Sequence, residues 1–414
     1  MDRMKKVLII ANYKGPIGGI SGQVEMLHQC LLKEGYNAEI FSTHGNPIKR
    51  IGMFFKLLCV ARRYDILHIH GCSEWGMLPI VYGVIAGKIW RKRIIVTYHG
   101  GGADEYFAKH GAFAKRWLGR ADRVIVLNGY LEKVFAKYEI PCVVIPNIIE
   151  LNDAQEHSEY QWDAPRLISV RHLSELYNIP CVLRAYAIIK EQVPGATLTV
   201  LGDGPQRAEL ERMALEIEEN IKNKDKNIEN NLCKPKMNHP QSSDDDSQLI
   251  APQSACMQAS RQPDNQLLAA NTLPDDSEKK SDLQSFQKMQ KNSAAGSIRF
   301  IGQVKSGEMA GYLAKSDILL SAPHIDNMPV SVMEAMNAGV LVISSRVGGV
   351  PYMIEDGVSG LLFEDDDAEG MAKCIMQAIA NPKQTEAMIA KAKSDVAKYE
   401  WKEVRKLLLP VYGV

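Results

Sequence analysis

The sequence predicts an α/β protein made of two Rossmann-like doubly wound domains that face each other across a cleft. Short continuous Val/Ile/Leu runs alternate with helical patterns, as buried parallel strands and their crossovers do. The series occurs twice, on either side of a polar stretch at 146–165. The chain's 414 residues are also more than one core usually serves.

The first series comprises Val7-Leu8-Ile9-Ile10, Ala38-Glu39-Ile40-Phe41, Ile66-Leu67-His68-Ile69, Ile94-Ile95-Val96, Val124-Ile125-Val126-Leu127 and Val143-Val144-Ile145. Between the first two, Gln23–Lys33 reads as a helix with Val24, Leu27, Leu31 and Leu32 on one face and Gly35 at its end. The second series comprises Leu167-Ile168-Ser169-Val170, Leu198-Thr199-Val200-Leu201, Ile298-Arg299-Phe300-Ile301, Ile318-Leu319-Leu320, Leu341-Val342-Ile343 and Leu361-Leu362-Phe363. Residues 218–296 break the rhythm. They are rich in Asn, Gln, Lys, Asp and Ser, with Phe286 the sole aromatic, too little apolar surface to offset the entropy of ordering. We read them as a low-complexity, disordered insertion that a short Gly/Ser linker could replace. The chain thus divides into a first domain at 1–150, a linker at 151–165 and a second domain at 166–217 and 297–385. The insertion interrupts the second domain, and a helical segment at 386–414 ends the chain.

Composition narrows the class. Val7–Ala11 is apolar but too short for a secretory signal, and no apolar run is long enough to cross a membrane. The eight cysteines are scattered without a C-x-x-C pair, which argues against zinc and against a disulfide framework and suits a reducing cytoplasm. The zero net charge conceals an asymmetry: residues 1–150 hold 21 Lys/Arg against 12 Asp/Glu, a net of +9 that the rest of the chain offsets. A basic half suits anionic lipid or phosphorylated substrates, and equally a merely solvated surface. Its clusters at Lys49-Arg50, Arg62-Arg63 and Arg91-Lys92-Arg93 flank the largely apolar Ile51–Val60, which reads either as a crossover helix or as a segment lying on an anionic membrane.

The densest chemistry lies at 324–349. Asp326 and Glu334 stand on either side of a turn from the strand ending near Ala322 into a helix starting near Pro329, a residue suited to a first helical position. Free N–H groups of Val330 and Ser331 at that start would form an anion site, with Glu334 about one turn further in, placed to accept hydrogen bonds from a ribose diol. As structural residues alone, Glu334 would be a charge near a helix start and Asp326 a turn or cap residue. No G-x-x-x-x-G-K-[ST], complete G-x-G-x-x-G or metal-ligand spacing occurs, so we expect neither cofactor nor metal.

This region resembles the retaining glycosyltransferases of the GT-B fold, family 4. Their two acidic residues seven apart and E-A-x-A-x-G-x-P-V-[IV]-x-[ST] run correspond to Asp326 and Glu334-Ala335-Met336-Asn337-Ala338-Gly339-Val340-Leu341-Val342-Ile343-Ser344-Ser345. Asp326 replaces the usual Glu, Asn337 an Ala and Leu341 a Pro. Gly202-Asp203-Gly204-Pro205, Asp317–Pro323, Gly348-Gly349-Val350-Pro351 and Asp356–Leu362 extend the likeness. The resemblance implies that a nucleotide-sugar donor binds the second domain and an acceptor the first. Arg171 would meet the diphosphate, with Tyr177-Asn178 where a Lys-Gly is usual. Gly18, Gly19, Gly204, Asn327, Met328, Val330, Ser331 and Glu334 would help hold the donor. Asp326, Glu334 and His99, the last in Thr97-Tyr98-His99-Gly100, would be catalytic. Asn147 would lie at the interdomain hinge.

The resemblance implies transfer of a sugar from a nucleoside diphosphate to the hydroxyl of a glycan or lipid-linked acceptor, with retention and without a metal. We expect a cytoplasmic protein, free or peripheral at the inner face of a membrane, with no nucleic-acid partner. A non-catalytic nucleotide-sugar-binding partner of another transferase, and a GT-B-fold epimerase or phosphorylase, are the alternatives.

Overall fold

The computed structural model describes residues 5–15, 18–151, 157–232 and 296–413. Every apolar run named above forms a strand. The first domain orders β1 (Lys6–Ala11), α1 (Gly19–Lys33), β2 (Asn37–Ser42), α2 (Pro47–Ala61), β3 (Ile66–Gly71), α3 (Met77–Ile89), β4 (Arg93–Tyr98), α4 (Ala103–Leu118), β5 (Arg123–Val126), α5 (Gly129–Lys137) and β6 (Val143–Val144). The second orders β7 (Arg166–Val170), α6 (Ile179–Gln192), β8 (Thr197–Leu201), α7 (Arg207–Leu232), β9 (Ile298–Gly302), α8 (Ser306–Leu313), β10 (Ile318–Ser321), α9 (Val330–Ala338), β11 (Leu341–Ser345), β12 (Leu361–Phe363) and α10 (Ala368–Ala380). Helices α11 (Pro382–Asp395) and α12 (Trp401–Val411) follow.

The first sheet runs β2-β1-β3-β4-β5-β6 and the second β12-β11-β10-β7-β8-β9, with parallel pairing in both. Burial follows position: β3, β10 and β11 are buried throughout, whereas the edge strands β2 and β9 mix exposed with buried residues. Each order reverses once, between β1 and β3 and between β7 and β10. In such sheets the crevice beyond the carboxyl ends of the strands at the reversal is where ligands bind.

Three local expectations change. Val24, Leu27 and Leu31 of α1 are buried, but Leu32 is 44% exposed, because it lies just off the stripe that faces the sheet. Pro329 is not the first helical residue: with ψ 123° it is the cap, and α9 begins at Val330. Residues 218–232, placed in the insertion, are the latter half of α7, and Glu218 Oε1 accepts the Ile298 N–H at 2.9 Å. A linker replacing 218–296 would cut that contact. The remainder of the proposed insertion, 233–295, lies outside the described residues.

The terminal segment divides between the domains. Met388 and Ile389 of α11 join the second core. The chain then crosses back: Val404 and Leu408 of α12, with Tyr412, pack on Val7, Ile9, Ile66 and Ile95 of the first sheet. Part of the linker also packs, since Ser158 N–H bonds Ala314 C=O (3.0 Å) and Tyr160 Oη donates to Gly339 C=O (2.9 Å). No helix among the described residues is long and apolar enough to cross a membrane.

A buried ion pair joins the starts of β7 and β10. Asp317 is wholly buried and takes Arg166 through Nη2 at 2.6 Å and Nε at 3.0 Å, as well as the Arg166 backbone N–H. Removing one partner of such a pair costs about 3–5 kcal/mol, because the other charge stays uncompensated. Asp317→Ala should therefore lower the urea midpoint strongly. Lys109→Ala, which breaks an exposed pair with Glu105, should leave the midpoint nearly unchanged. Equal effects of the two substitutions would contradict the structural weight given to Asp317.

Candidate functional site

The second sheet's reversal places the ends of β7 and β10 side by side, and there Arg171 meets Asp326. The guanidinium Nη1 lies 3.1 Å from Asp326 Oδ2, and Nη2 donates to Ser321 Oγ at 2.7 Å. The Arg171 side chain is 8% exposed, and its Nε is buried without a partner. Tyr177 lies with its ring 5.4 Å from the guanidinium, presenting a π face where the resemblance expects a second cation. Asp326 Oδ1 also accepts the Asn327 N–H at 2.7 Å.

Beyond the turn, α9 makes its first bonds from Val332 and Met333 to the Pro329 carbonyl, so Val330 and Ser331 precede them. Ser331 Oγ is buried and unpartnered. Glu334 follows one turn later with no hydrogen bond or ion pair to another described residue, and burial pushes its carboxyl up to about 7. An unpaired, half-buried carboxyl beside an unpartnered hydroxyl at a helix start has spare polar capacity that a bound ligand can use. Helix α9 ends at Gly339, whose φ of 75° is the left-handed cap that explains this glycine in the motif.

Glycines hold this turn by letting backbones approach. A Cβ at Gly348 would lie 2.1 Å from Asp326 O, and one at Gly349 would lie 2.0 Å from Asn327 O. Gly349 N–H donates to Asp326 O at 2.9 Å. Gly202 and Gly204 do the same for the loop after β7, meeting Arg171 O and Leu173 O at 1.8 and 2.3 Å. Gly204 thus packs against the Leu173 backbone, and Gly202 against that of Arg171. Gly18 and Gly19 cap α1 with φ of 53° and 51° and have open space where a Cβ would point.

The first domain reaches the same turn. Asn128, at the start of α5, gives its Nδ2 to both Asn327 O and Oδ1 at 2.8 Å. Asn327 Nδ2 donates to His99 O at 3.3 Å. Asn147 Nδ2 bonds Met328 O at 3.0 Å, and its N–H meets Met328 Sδ at 3.2 Å. Asn327 and Met328, expected at the donor, have their side chains in contact with Asn128 and Asn147 of the first domain. His99 follows β4. Its Nε2 lies 2.9 Å from His70 Nδ1, and burial pushes its pKa down to about 4. Among the described residues the structure therefore groups Arg171, Asp326, Asn327, Met328 and His99 by direct contacts, with Val330, Ser331 and Glu334 on the adjoining helix. No hydrogen bond joins Gly18 or Gly19 to that group. The sequence reasoning passed over Asn128 and His70, and noted Tyr177 only as standing where a cation is usual. For Asn128 a signal existed, an Asn directly after a strand at a helix start.

The chain is similar to known proteins over both halves. The model of the glycosyl transferases group 1 matches residues 256–395, and that of Glycosyltransferase Family 4 matches residues 41–153. A phosphatidyl-myo-inositol mannosyltransferase of Mycolicibacterium smegmatis is 30% identical over 125 residues, 30% of this chain and 32% of that protein. A sulfoquinovosyl transferase of Arabidopsis thaliana is 28% identical over 109 residues, 25% of this chain and 21% of that protein. The aligned stretch thus spans about a third or less of these relatives' length. Among solved structures, HepE of Anabaena in complex with UDP and glucose matches with a TM-score of 0.62 over 99% of both chains at 14% identity. The sucrose-phosphate synthase of Thermosynechococcus elongatus matches with 0.65 over 99% and 98% at 16% identity. At such identities the likeness is one of fold. Two facing Rossmann-like domains and these neighbours define the class, GT-B. Both family models that match the chain, one in each half, are models of glycosyltransferases.

The Glu334 carboxyl gives a pH-dependent prediction. Below its ordinary value of 4.5 it is neutral in both the folded and the unfolded chain. Between 4.5 and about 7 the folded protein holds a proton that the unfolded chain has released, so stability falls as pH rises. Above that window the cost of a buried charge is fully present. Glu334→Gln should therefore be the more stable protein at pH 8, by on the order of 1–3 kcal/mol, and equal to wild type at pH 4. A stability gap that is the same at both pH values in denaturant titrations would show that ionisation of Glu334 is not its source.

Proposed function

We propose that the protein transfers a sugar from a nucleoside-diphosphate sugar to an acceptor hydroxyl with retention at the anomeric carbon. The observation that carries this reading is the juxtaposition of a cation and an open helix start with an unpaired, half-buried carboxyl one turn in. The pair Arg171–Asp326 and the N–H groups of Val330 and Ser331 stand beside Glu334. A diphosphate suits the first set and a ribose diol the second. The HepE structure, whose fold this chain shares, contains UDP and glucose.

In the reaction the acceptor oxygen bonds the anomeric carbon, the bond from that carbon to the diphosphate oxygen breaks, and the acceptor proton passes to a donor phosphate oxygen. Arg171 and the start of α9 stabilise the charge that develops on the leaving diphosphate. Donor binding draws Arg171 from Asp326 toward phosphate, which frees Asp326 for a sugar hydroxyl. His99 lines the sugar from the other domain. Closure of the domains excludes water and so suppresses donor hydrolysis. Nothing in this scheme calls on a metal.

Incubation with UDP-, GDP- and ADP-sugars and an alcohol acceptor, followed by NMR of the product anomer, tests the scheme. Glu334→Ala should lower kcat/KM by roughly 10- to 100-fold, the worth of hydrogen bonds to a charged group. An inverted product would overturn retention, and a folded Glu334→Ala variant with wild-type activity would overturn the role of Glu334.

For the acceptor we propose a lipid-linked or anionic molecule met at the inner face of a membrane. Helix α2 is a crossover helix, with Leu57 fully buried, yet Ile51 and Phe55 are 60% and 61% exposed. Trp75 and Trp90 are exposed as well, with Arg50 and Arg62 over their rings at 5.6 and 6.0 Å. Exposed aromatics bracketed by arginine suit an anionic interface. Sedimentation with liposomes should show binding that needs anionic lipid and weakens steeply with salt. Phe55→Ser should weaken it by about tenfold or more, since burying a Phe contributes about 1.5–3 kcal/mol. Absence of binding at low salt would point to a soluble acceptor.

A further inference from the structure

Three imidazoles lie in a row beneath the carboxyl ends of the first sheet. His68 and His70 are both on β3, two residues apart and so on one face, and His99 follows the neighbouring strand β4. The rings of His68 and His70 are 4.5 Å apart, and those of His70 and His99 stack at 5.1 Å with 22° between their planes. Such a row on a buried parallel sheet displaces apolar side chains that would pack without polar cost, so its polar bonds need an account.

His68 is fully satisfied. Its Nδ1 meets Tyr412 Oη at 2.7 Å and its Nε2 meets Thr97 Oγ1 at 2.8 Å. His70 is not. Its Nδ1 is joined to His99 Nε2 at 2.9 Å, while its own Nε2 is buried with no partner. That Nε2 borders a cavity of about 30 Å³ whose wall includes Gln23, Asn147 and Leu408. Burial holds all three rings below the usual histidine range, His68 to about 3 and His99 to about 4, so they are neutral at ordinary pH. Between two neutral rings one nitrogen donates and the other accepts, so the tautomers of His70 and His99 are coupled: His99 carries its proton on Nδ1 when His70 donates and on Nε2 when His70 accepts. His99 is also held by its backbone, its N–H on Gly71 O at 2.8 Å and its C=O under Asn327 Nδ2. Its Nδ1 alone has neither a partner nor complete burial, and it stands at the strand ends beside the turn that carries Asp326.

We infer that His70 is a positioning residue: by occupying His99 Nε2 and stacking on its ring, it fixes the orientation and tautomer in which His99 presents Nδ1 to the donor sugar. The inference rests on the transfer reaction proposed above only for its kinetic consequence. The pairing itself belongs to the unliganded protein. His68, clamped between Thr97 and the Tyr412 hydroxyl, backs His70 from the other side, so the docking of the chain's last helix supports the ring that orients His99.

The test uses the full chain labelled with ¹⁵N-histidine, with the His99 signals assigned by their loss in His99→Gln. In wild type the His99 ring nitrogens should report one tautomer. His70→Phe keeps an aromatic ring but has no nitrogen to offer, so His99 should show exchange between tautomers. His70→Asn, whose side-chain amide can reach His99 Nε2, should restore a single form. With the donor that proves active, His70→Phe should lower kcat roughly 10- to 100-fold with KM changed much less, as loss of the partner orienting a functional histidine does elsewhere, and His70→Asn should recover part of it. A single unchanged His99 tautomer in folded His70→Phe, or mixed tautomers in wild type, would overturn the inference. If no donor sugar is turned over by wild type, the proposed function fails while the NMR result still decides the role of His70.

Discussion

The segment 322–329, between β10 and α9, is the constraint on which the crevice depends. It must leave a buried strand, carry a carboxylate past an arginine and enter a helix with its first N–H groups free. A polar turn of that kind holds one conformation only if its backbone groups are tied down. The second domain ties it with Arg171 on the Asp326 side chain and the Gly349 N–H on the Asp326 carbonyl. The first domain ties it with Asn128 on Asn327 and Asn147 on Met328. The same few residues therefore shape the candidate site and join the domains, so a ligand that draws Arg171 away from Asp326 acts on the contact between them as well.

The site keeps polar capacity unspent at a cost to the unliganded fold. Glu334 is half-buried without a counter-charge, and Ser331 Oγ and Arg171 Nε are buried without partners. The structural pair Arg166–Asp317 at the opposite end of the same strands is satisfied by several hydrogen bonds. Two carboxylates on one sheet thus fare differently. The one at the amino ends of the strands is fully paired, and the one beyond the carboxyl ends is left open where ligands bind in open α/β sheets. Tyr177 adds a local departure. It supports the guanidinium from the side without adding charge, so Arg171 is the one cation in contact with Asp326 among the described residues.

Several features were legible in the sequence for simple reasons. Strands buried on both faces have to be continuous apolar runs, so β1, β3, β4, β10 and β11 announced themselves. Gly35 marked the end of α1 because only a residue without a Cβ takes its left-handed conformation, φ 85°, cheaply. Asp326 and Glu334 were legible because their chemistry and spacing are local to one strand-to-helix turn, and Arg171 because the resemblance to the GT-B transferases points to it. Their mutual placement follows from the sheet's reversal point, which the sequence order alone does not display.

Tertiary structure decided what depends on partners far away in the chain. Leu32 looked like part of α1's apolar stripe, and only the tilt of that helix on its sheet exposes it. Asn327 and Met328 are held by Asn128 and Asn147 of the other domain, partners that no local motif displays. The return of α12 to the first core, with Tyr412 on His68, joins residues 344 apart in sequence. Periodicity and local motifs report backbone preference and burial, which are properties of neighbouring residues. Hydrogen-bond partners, ion pairs and the tautomer of a histidine belong to pairs of residues, and only the folded chain brings those pairs together.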